Sequence, residues 1–198
     1  MKRHRKTAVI LAGGQGSRMG YRDKAFLRYM GKSFIECLLE KLKGFEEVIV
    51  ISNRPEEYMD YSVRVVEDRV KGIGPLGGIY TGLLHSTYEE ILVVSCDTPF
   101  QNREFLDYMG ELSGSYEAAL PRHREGREPL CALYRKTLVK EIEKLIEEKT
   151  YKIAHLFKEN KVEWVDVESM TNGIDIKKGF KNINTPEELA EVGGEYEK

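Results

Sequence analysis

The chain has 198 residues, a formal net charge of −2, 41% hydrophobic residues and 32% charged residues. That length fits one domain, and folding at this size buries roughly 70% of the unfolded surface, so the core needs no disulfide or metal staple. The near-neutral charge argues against a general nucleic-acid binder, and no run reaches the ~20 apolar residues of a membrane span.

The charged fraction exceeds the usual ~25%, which fits either a well-solvated surface or thermal adaptation. Cys37, Cys96 and Cys131 are far apart and form no CxxC pair. A disulfide framework or structural zinc site is therefore not expected, and a reducing, cytoplasmic compartment fits best. The basic start Lys2-Arg3-His4-Arg5-Lys6 resembles the head of a signal peptide. The apolar run Thr7–Ala12 that follows is too short for the hydrophobic region of one and meets glycines at once.

In chain order, Ala8–Leu11 is a continuous apolar run ending at Gly13-Gly14, the pattern of a buried parallel strand. Ser33 and Glu36 have capping-box spacing and open a helix whose apolar face is Phe34, Ile35, Leu38, Leu39 and Leu42. Val48–Ile51 and Val63–Val66 read as strands, and the glycine-rich Gly72–Gly82 segment leads into or forms part of a second helix. Ile91–Ser95 is a fully apolar strand ending at Cys96-Asp97. Asn102–Leu112 reads as helix, Ala118–Pro121 and Leu130–Tyr134 as strands, Thr137–Glu148 as an amphipathic helix and Val162–Val167 as a late strand. Thr185-Pro186-Glu187-Glu188 is a helix start. The alternation predicts one α/β domain over 1–198: a mostly parallel, twisted sheet with helices on both faces. Ligands of such sheets bind beyond the carboxyl ends of the strands, so the site residues should follow the apolar runs.

Three segments do. The first runs Leu11-Ala12-Gly13-Gly14-Gln15-Gly16-Ser17-Arg18-Met19-Gly20, with Asp23-Lys24 after it. Glycines after a strand let backbone N–H groups close on phosphate oxygens, and Arg18 and Lys24 can neutralise them. An ordinary glycine turn with two surface cations is the plainer reading, and the density of glycines and cations weighs against it. The dinucleotide fingerprint fails because its third glycine position is Met19. Gly31-Lys32-Ser33 fails as a phosphate-binding P-loop because glycine is required where Phe26 stands.

The second segment is Cys96-Asp97-Thr98-Pro99-Phe100. A lone carboxylate past a buried strand suits Mg2+, which fills its other positions with waters and substrate phosphates. On local grounds a carboxylate capping the next turn fits equally well. The third is Gly74-Pro75-Leu76-Gly77-Gly78-Ile79, whose glycines would admit a planar base; close helix–sheet packing is the alternative. Asp68 is a further candidate at the nucleoside, or a solvated strand-end carboxylate.

Together with Pro129–Tyr134 and Phe180–Leu189, these segments resemble molybdenum cofactor guanylyltransferases along nearly the whole chain. The glycine loop alone is shared by many nucleotidyltransferases; Gly-Pro-Leu-Gly-Gly and Phe-Lys-Asn-Ile-Asn-Thr-Pro-Glu-Glu-Leu are more specific. The resemblance implies a Rossmann-like nucleotidyltransferase fold and transfer of GMP from GTP to molybdopterin, with pyrophosphate released. It implies that Leu11, Ala12 and Gly13 meet the guanine nucleotide through backbone atoms, with Lys24 at its phosphates; Gly14 and Arg18 are candidates beside them from the loop's own glycines and cations. Asn53 and Asp68 would lie along the nucleoside, Asp97 would bind nucleotide and Mg2+, and Asn182 and Asn184 would face the pterin; Gly77 and Gly78 are candidates for the base from the glycine pattern. Its implied partners are GTP, molybdopterin or the molybdenum cofactor, and molybdoenzyme apoproteins or cofactor-delivery proteins; nucleic acid and membrane are not among them.

The chain departs from the family pattern at Arg122–Glu128, where Arg122, Arg124 and Arg127 have no assigned role, and at Ser52-Asn53-Arg54. The rival readings are adenosylcobinamide-phosphate guanylyltransferase, molybdopterin cytidylyltransferase, and a non-catalytic GTP-binding or cofactor-carrier protein. The paired cations and Asp97 weigh against mere binding, and pyrophosphate release would separate the classes.

Overall fold

The computed structural model describes residues 3–12, 24–157, 161–170, 176–184, 186–191 and 194–195. In chain order the elements are β1 (His4–Leu11), β2 (Arg28–Tyr29), β3 (Lys32–Ser33), α1 (Phe34–Lys41), β4 (Phe45–Ile51), β5 (Arg64–Val66), α2 (Pro75–His85) and β6 (Glu90–Ser95). They continue with α3 (Arg103–Glu111), β7 (Ala118–His123), β8 (Gly126–Arg127), β9 (Cys131–Arg135), α4 (Val139–Glu147), β10 (Val162–Asp166), α5 (Pro186–Glu191) and β11 (Gly194–Glu195). The main sheet has the order β10-β7-β9-β6-β1-β4-β5, with β8 paired to β7.

β1 is the hinge of this order. It pairs in parallel with β4 on one side and β6 on the other. The chain first builds outward through β4 and β5, then crosses to β6 on the opposite side of β1. That reversal is where open α/β sheets bind ligands, beyond the carboxyl ends of the strands. The sheet is mixed: β9 runs antiparallel to both β6 and β7. Since β7 is then parallel to β6, its carboxyl end and the β7–β8 hairpin lie on the same edge as Asp97.

The apolar runs of β1, β4 and β6 are two-sided, as strands covered on both faces must be. Ala8, Ile10, Val50, Leu92 and Val94 face a core shared with Leu38 of α1 and Phe105 and Met109 of α3. Val9, Ile49, Ile51, Ile91 and Val93 face α2 and α4 through Leu76, Ile79, Leu83 and Ile142. The α1 capping box forms: the Glu36 carboxylate accepts from Ser33 N–H at 2.6 Å, and Ser33 Oγ accepts from Glu36 N–H at 3.3 Å. Hydrogen bonds to the charged form hold the Glu36 carboxyl below its usual range.

A three-stranded appendage, β11-β2-β3, has no counterpart in the sequence reading. Its β2–β3 turn puts Met30 at φ 49° and Gly31 at φ 76°, the left-handed pair of a tight hairpin. The apparent P-loop fragment Gly31-Lys32-Ser33 is this hairpin, and Lys32 pairs with Glu40 at 2.6 Å. Beneath it Leu27, Phe34, Ile183 and Leu189 form a small separate core. That core ties the C-terminal segment to the start of the chain. Among the described residues no helix is long and apolar enough to cross a membrane.

Candidate active site

Four strand ends meet along one edge. Ala12 N–H donates to Ile51 O at 2.9 Å, Cys96 N–H to Leu11 O at 3.0 Å, and Ser52 N–H to Val66 O at 3.1 Å. The ends of β5, β4, β1 and β6 therefore stand side by side. Three inter-strand steps of about 4.8 Å separate Asp68 from Asp97 laterally, roughly 14 Å, a span that accommodates a nucleotide.

Asp97 follows the end of β6 on this edge. Ser95 Oγ donates to its Oδ1 at 2.6 Å. Its other oxygen, Oδ2, lies 3.6 Å from Lys24 Nζ. Lys24 Nζ in turn donates to Asn184 Oδ1 at 2.6 Å. Three residues spread over 160 positions of sequence thus converge on one point, and all three were expected at the site from the sequence.

The backbone around Asp97 is fixed from several directions. Thr98 Oγ1 donates to Ser95 O at 2.9 Å, and Gln101 Nε2 donates to Thr98 Oγ1 at 3.2 Å. Cys131 Sγ donates to Gln101 Oε1 at 3.2 Å. Burial pushes the Cys131 thiol well above its ordinary range, so it stays protonated as a donor. Lys41 of α1 donates to Pro99 O at 2.5 Å, and Ile183 N–H donates to Asp97 O at 2.8 Å. Ser95, Thr98 and Gln101 are all buried. They carried no motif in the sequence; the one signal was a cluster of small polar residues after a buried strand.

Asn182 and Asn184 are exposed and Ile183 between them is fully buried, the alternation expected of an extended segment. The main-chain N–H of Asn184 donates to Glu188 Oε2 at 2.5 Å, so the α5 start also fixes this segment.

A second group forms at the β5 and β4 ends. Asp68 Oδ1 accepts from Thr81 Oγ1 at 3.4 Å, and Asn53 also donates to the Asp68 carboxylate. Burial raises the Asp68 carboxyl above its ordinary value despite these donors.

Gly77 and Gly78 lie in the first turns of α2 and are buried. A Cβ on Gly78 would stand 2.7 Å from Leu11 Cδ2, and one on Gly77 would stand 2.8 Å from Val70 O. Close packing of α2 on β1 and on the preceding loop therefore accounts for both without a bound base. Leu11 ends β1 and Ala12 follows it; both are buried, and the Ala12 N–H is already committed to Ile51. Gly13, Gly14 and Arg18 lie outside the described residues.

Among the described residues no group of three or more His, Cys, Asp or Glu side chains converges as metal ligands. Among the described residues the donor set at Asp97 is one carboxylate, whose Oδ1 accepts from Ser95 and whose Oδ2 lies 3.6 Å from Lys24 Nζ. A hard cation that keeps most of its waters suits such a set.

The MobA-like NTP transferase domain family matches residues 8–163. A Clostridium perfringens protein named "Probable molybdenum cofactor guanylyltransferase" is 40% identical, covering 95% of this chain and 96% of its own. A Vibrio parahaemolyticus protein named molybdenum cofactor guanylyltransferase is 32% identical over 93% of each chain. The crystal structure of molybdopterin-guanine dinucleotide biosynthesis protein A from Archaeoglobus fulgidus superposes with a TM-score of 0.80, at 28% identity, over 94% of this chain and 96% of that one. With its strand order, its edge of converging strand ends and these relatives, the chain belongs to the MobA-like NTP transferase family.

Proposed function

We propose that this protein is a molybdenum cofactor guanylyltransferase, which transfers GMP from GTP to molybdopterin or the molybdenum cofactor. The relatives' names support the substrates. The observation that carries the chemistry is the convergence of Lys24, Asp97 and Asn184 at the carboxyl end of β6.

The step is an in-line displacement. A terminal phosphate oxygen of the pterin attacks the α-phosphorus of GTP, the new P–O bond forms, and the bond to pyrophosphate breaks. An anionic phosphate needs no strong base, so the barrier is mainly charge repulsion and positioning. Lys24 neutralises phosphate charge at the point where nucleotide and acceptor meet. Asp97 would hold Mg2+, with Ser95 keeping its carboxylate in place. When bound, the cation would supply charge neutralisation on the phosphates. Arg18, in the glycine loop, would add a second cation.

Asn53 and Asp68 would face the nucleoside, and Asn182 and Asn184 the pterin. Gly13 and Gly14 would let main-chain groups approach the guanine nucleotide. The cysteine usage of the sequence supports placing the reaction in the cytoplasm. Delivery of the product to molybdoenzyme apoproteins or their cofactor-delivery proteins would follow.

The test is incubation with GTP, CTP or ATP, Mg2+ and purified molybdopterin, reading product mass and pyrophosphate. The expected result is a guanine dinucleotide with GTP preferred, because a site built to pair one base edge is left unpaired by another. Equal turnover of CTP would overturn the guanylyl assignment, and nucleotide binding without pyrophosphate release would favour a carrier.

A further inference from the structure

The β7–β8 hairpin carries the arginines that the sequence reading left without a role, and at the end of β7 it also carries His123. The His123 ring stacks on Phe180 in an offset parallel arrangement, with centroids 5.9 Å apart and planes 9° apart. Its side chain is 8% exposed. Two hydrogen bonds fix the ring plane: Nδ1 accepts from Glu125 N–H at 3.2 Å, and Nε2 lies 2.9 Å from Glu128 Oε1. The first contact makes Nδ1 the acceptor, so by inference from this network Nε2 carries the proton and donates to Glu128. Both nitrogens of this nearly buried ring are thereby satisfied.

Phe180 also packs against α3 and the chain after Asp97. Phe105 of α3 meets it edge-on at 5.6 Å. A Cβ on Gly179 would stand 3.1 Å from Gln101 Cα and from Asn102 N, and 3.2 Å from Phe100 O. The Lys177–Phe180 turn is therefore seated directly on the chain that follows Asp97. Four residues beyond Phe180, Asn184 accepts from Lys24, and Ile183 N–H donates to Asp97 O in between.

We propose that His123 is a positioning residue for the acceptor side of the site: by stacking on Phe180 it sets where Asn182 and Asn184 stand against Lys24 and Asp97. The inference rests on the guanylyltransferase reading for the identity of the acceptor, and on geometry alone for the coupling of hairpin and segment. The hairpin thereby becomes part of the acceptor half of the site, although none of its arginines need touch the substrate.

The test compares His123→Leu, which fills the volume without a flat face, with His123→Phe, which restores the face without the hydrogen bonds. Molybdopterin and GTP are titrated separately by calorimetry, and amide hydrogen exchange is followed at Ile183. An aromatic stack lost from such a place should weaken molybdopterin by about three- to tenfold in His123→Leu. GTP affinity should stay within about twofold. Exchange at Ile183 should rise while β1 and β6 stay protected, and His123→Phe should recover most of the acceptor affinity. Parallel loss of both ligands with exchange raised throughout, no change in either, or His123→Phe no better than His123→Leu would overturn the proposal. If the wild-type protein bound no molybdopterin, the functional reading would fall, and the Ile183 exchange would still decide whether His123 holds the segment.

Discussion

Ser95→Ala isolates how the Asp97 carboxylate is aimed. The substitution removes one hydroxyl that donates to Asp97 Oδ1 at 2.6 Å and leaves the β6 backbone, which pairs with β1 and β9, untouched. A hydrogen bond to a charged group contributes about 1.5–3 kcal/mol. The Asp97 side chain is 22% exposed, so water can replace part of that, and the lower end applies. About 1.4 kcal/mol placed on the transition state is a tenfold loss of kcat. The assay is steady-state pyrophosphate release as a function of magnesium, with melting followed alongside. We expect kcat to fall by about tenfold and the magnesium requirement to rise, with a melting midpoint only a few degrees lower. Ser95→Thr, which keeps the hydroxyl and suits a strand, should be close to wild type. If Ser95→Ala kept wild-type kcat and magnesium dependence, the carboxylate would be aimed by its backbone turn alone, and the Ser95 argument would fail.

Three further outcomes follow from the same geometry. Gly77→Ala drives a Cβ to 2.8 Å from the Val70 carbonyl, which has little room to move, and should destabilise by about 2 kcal/mol, or roughly 4–8 °C in melting midpoint. Asp68 has its carboxyl raised by burial, so the folded protein holds that proton more tightly than the unfolded chain does. The stability this adds is full below the ordinary Asp value and is lost as pH rises through the raised folded value. Asp68→Asn should therefore melt higher than wild type at pH 7 and lose that advantage near pH 3, while GTP binding weakens; a lower midpoint at pH 7 would refute the burial argument. Asn182→Ala and Asn184→Ala should weaken molybdopterin in calorimetric titration and leave GTP unchanged; earlier melting with loss of both ligands would instead make the pair structural.

Much of the sheet and part of the site could be read from residue order. The two-sided apolar runs of β1, β4 and β6 are long enough to be unambiguous, and Ser33 with Glu36 marks the α1 start chemically. A buried strand and a glycine loop point to Asp97 and Lys24 as candidates, and the two stand 3.6 Å apart. The direction of β9 was not legible, since the apolar run Leu130–Tyr134 reads the same in either orientation. Strands of two residues, as in β2 and β3, carry no periodicity at all. Gly77 and Gly78 show the limit of composition: the same glycines suit a base or a close helix, and only the distances to Leu11 and Val70 show how they pack. The Lys24–Asn184 contact spans 160 positions, and the Ser95–Thr98–Gln101–Cys131 chain joins two strands through buried side chains. No local pattern encodes such pairings.

In the proposed reaction, guanylyl transfer occurs at the carboxyl end of β6 with Asp97 as the metal-binding carboxylate. Its most direct test is single-turnover pyrophosphate release by Asp97→Asn at saturating magnesium, GTP and molybdopterin. An amide oxygen holds magnesium poorly, and a loss of several kcal/mol of charge stabilisation corresponds to a rate reduced by about a hundredfold or more, with melting nearly unchanged. Wild-type turnover by Asp97→Asn under those conditions would reduce Asp97 to a turn cap and contradict the account.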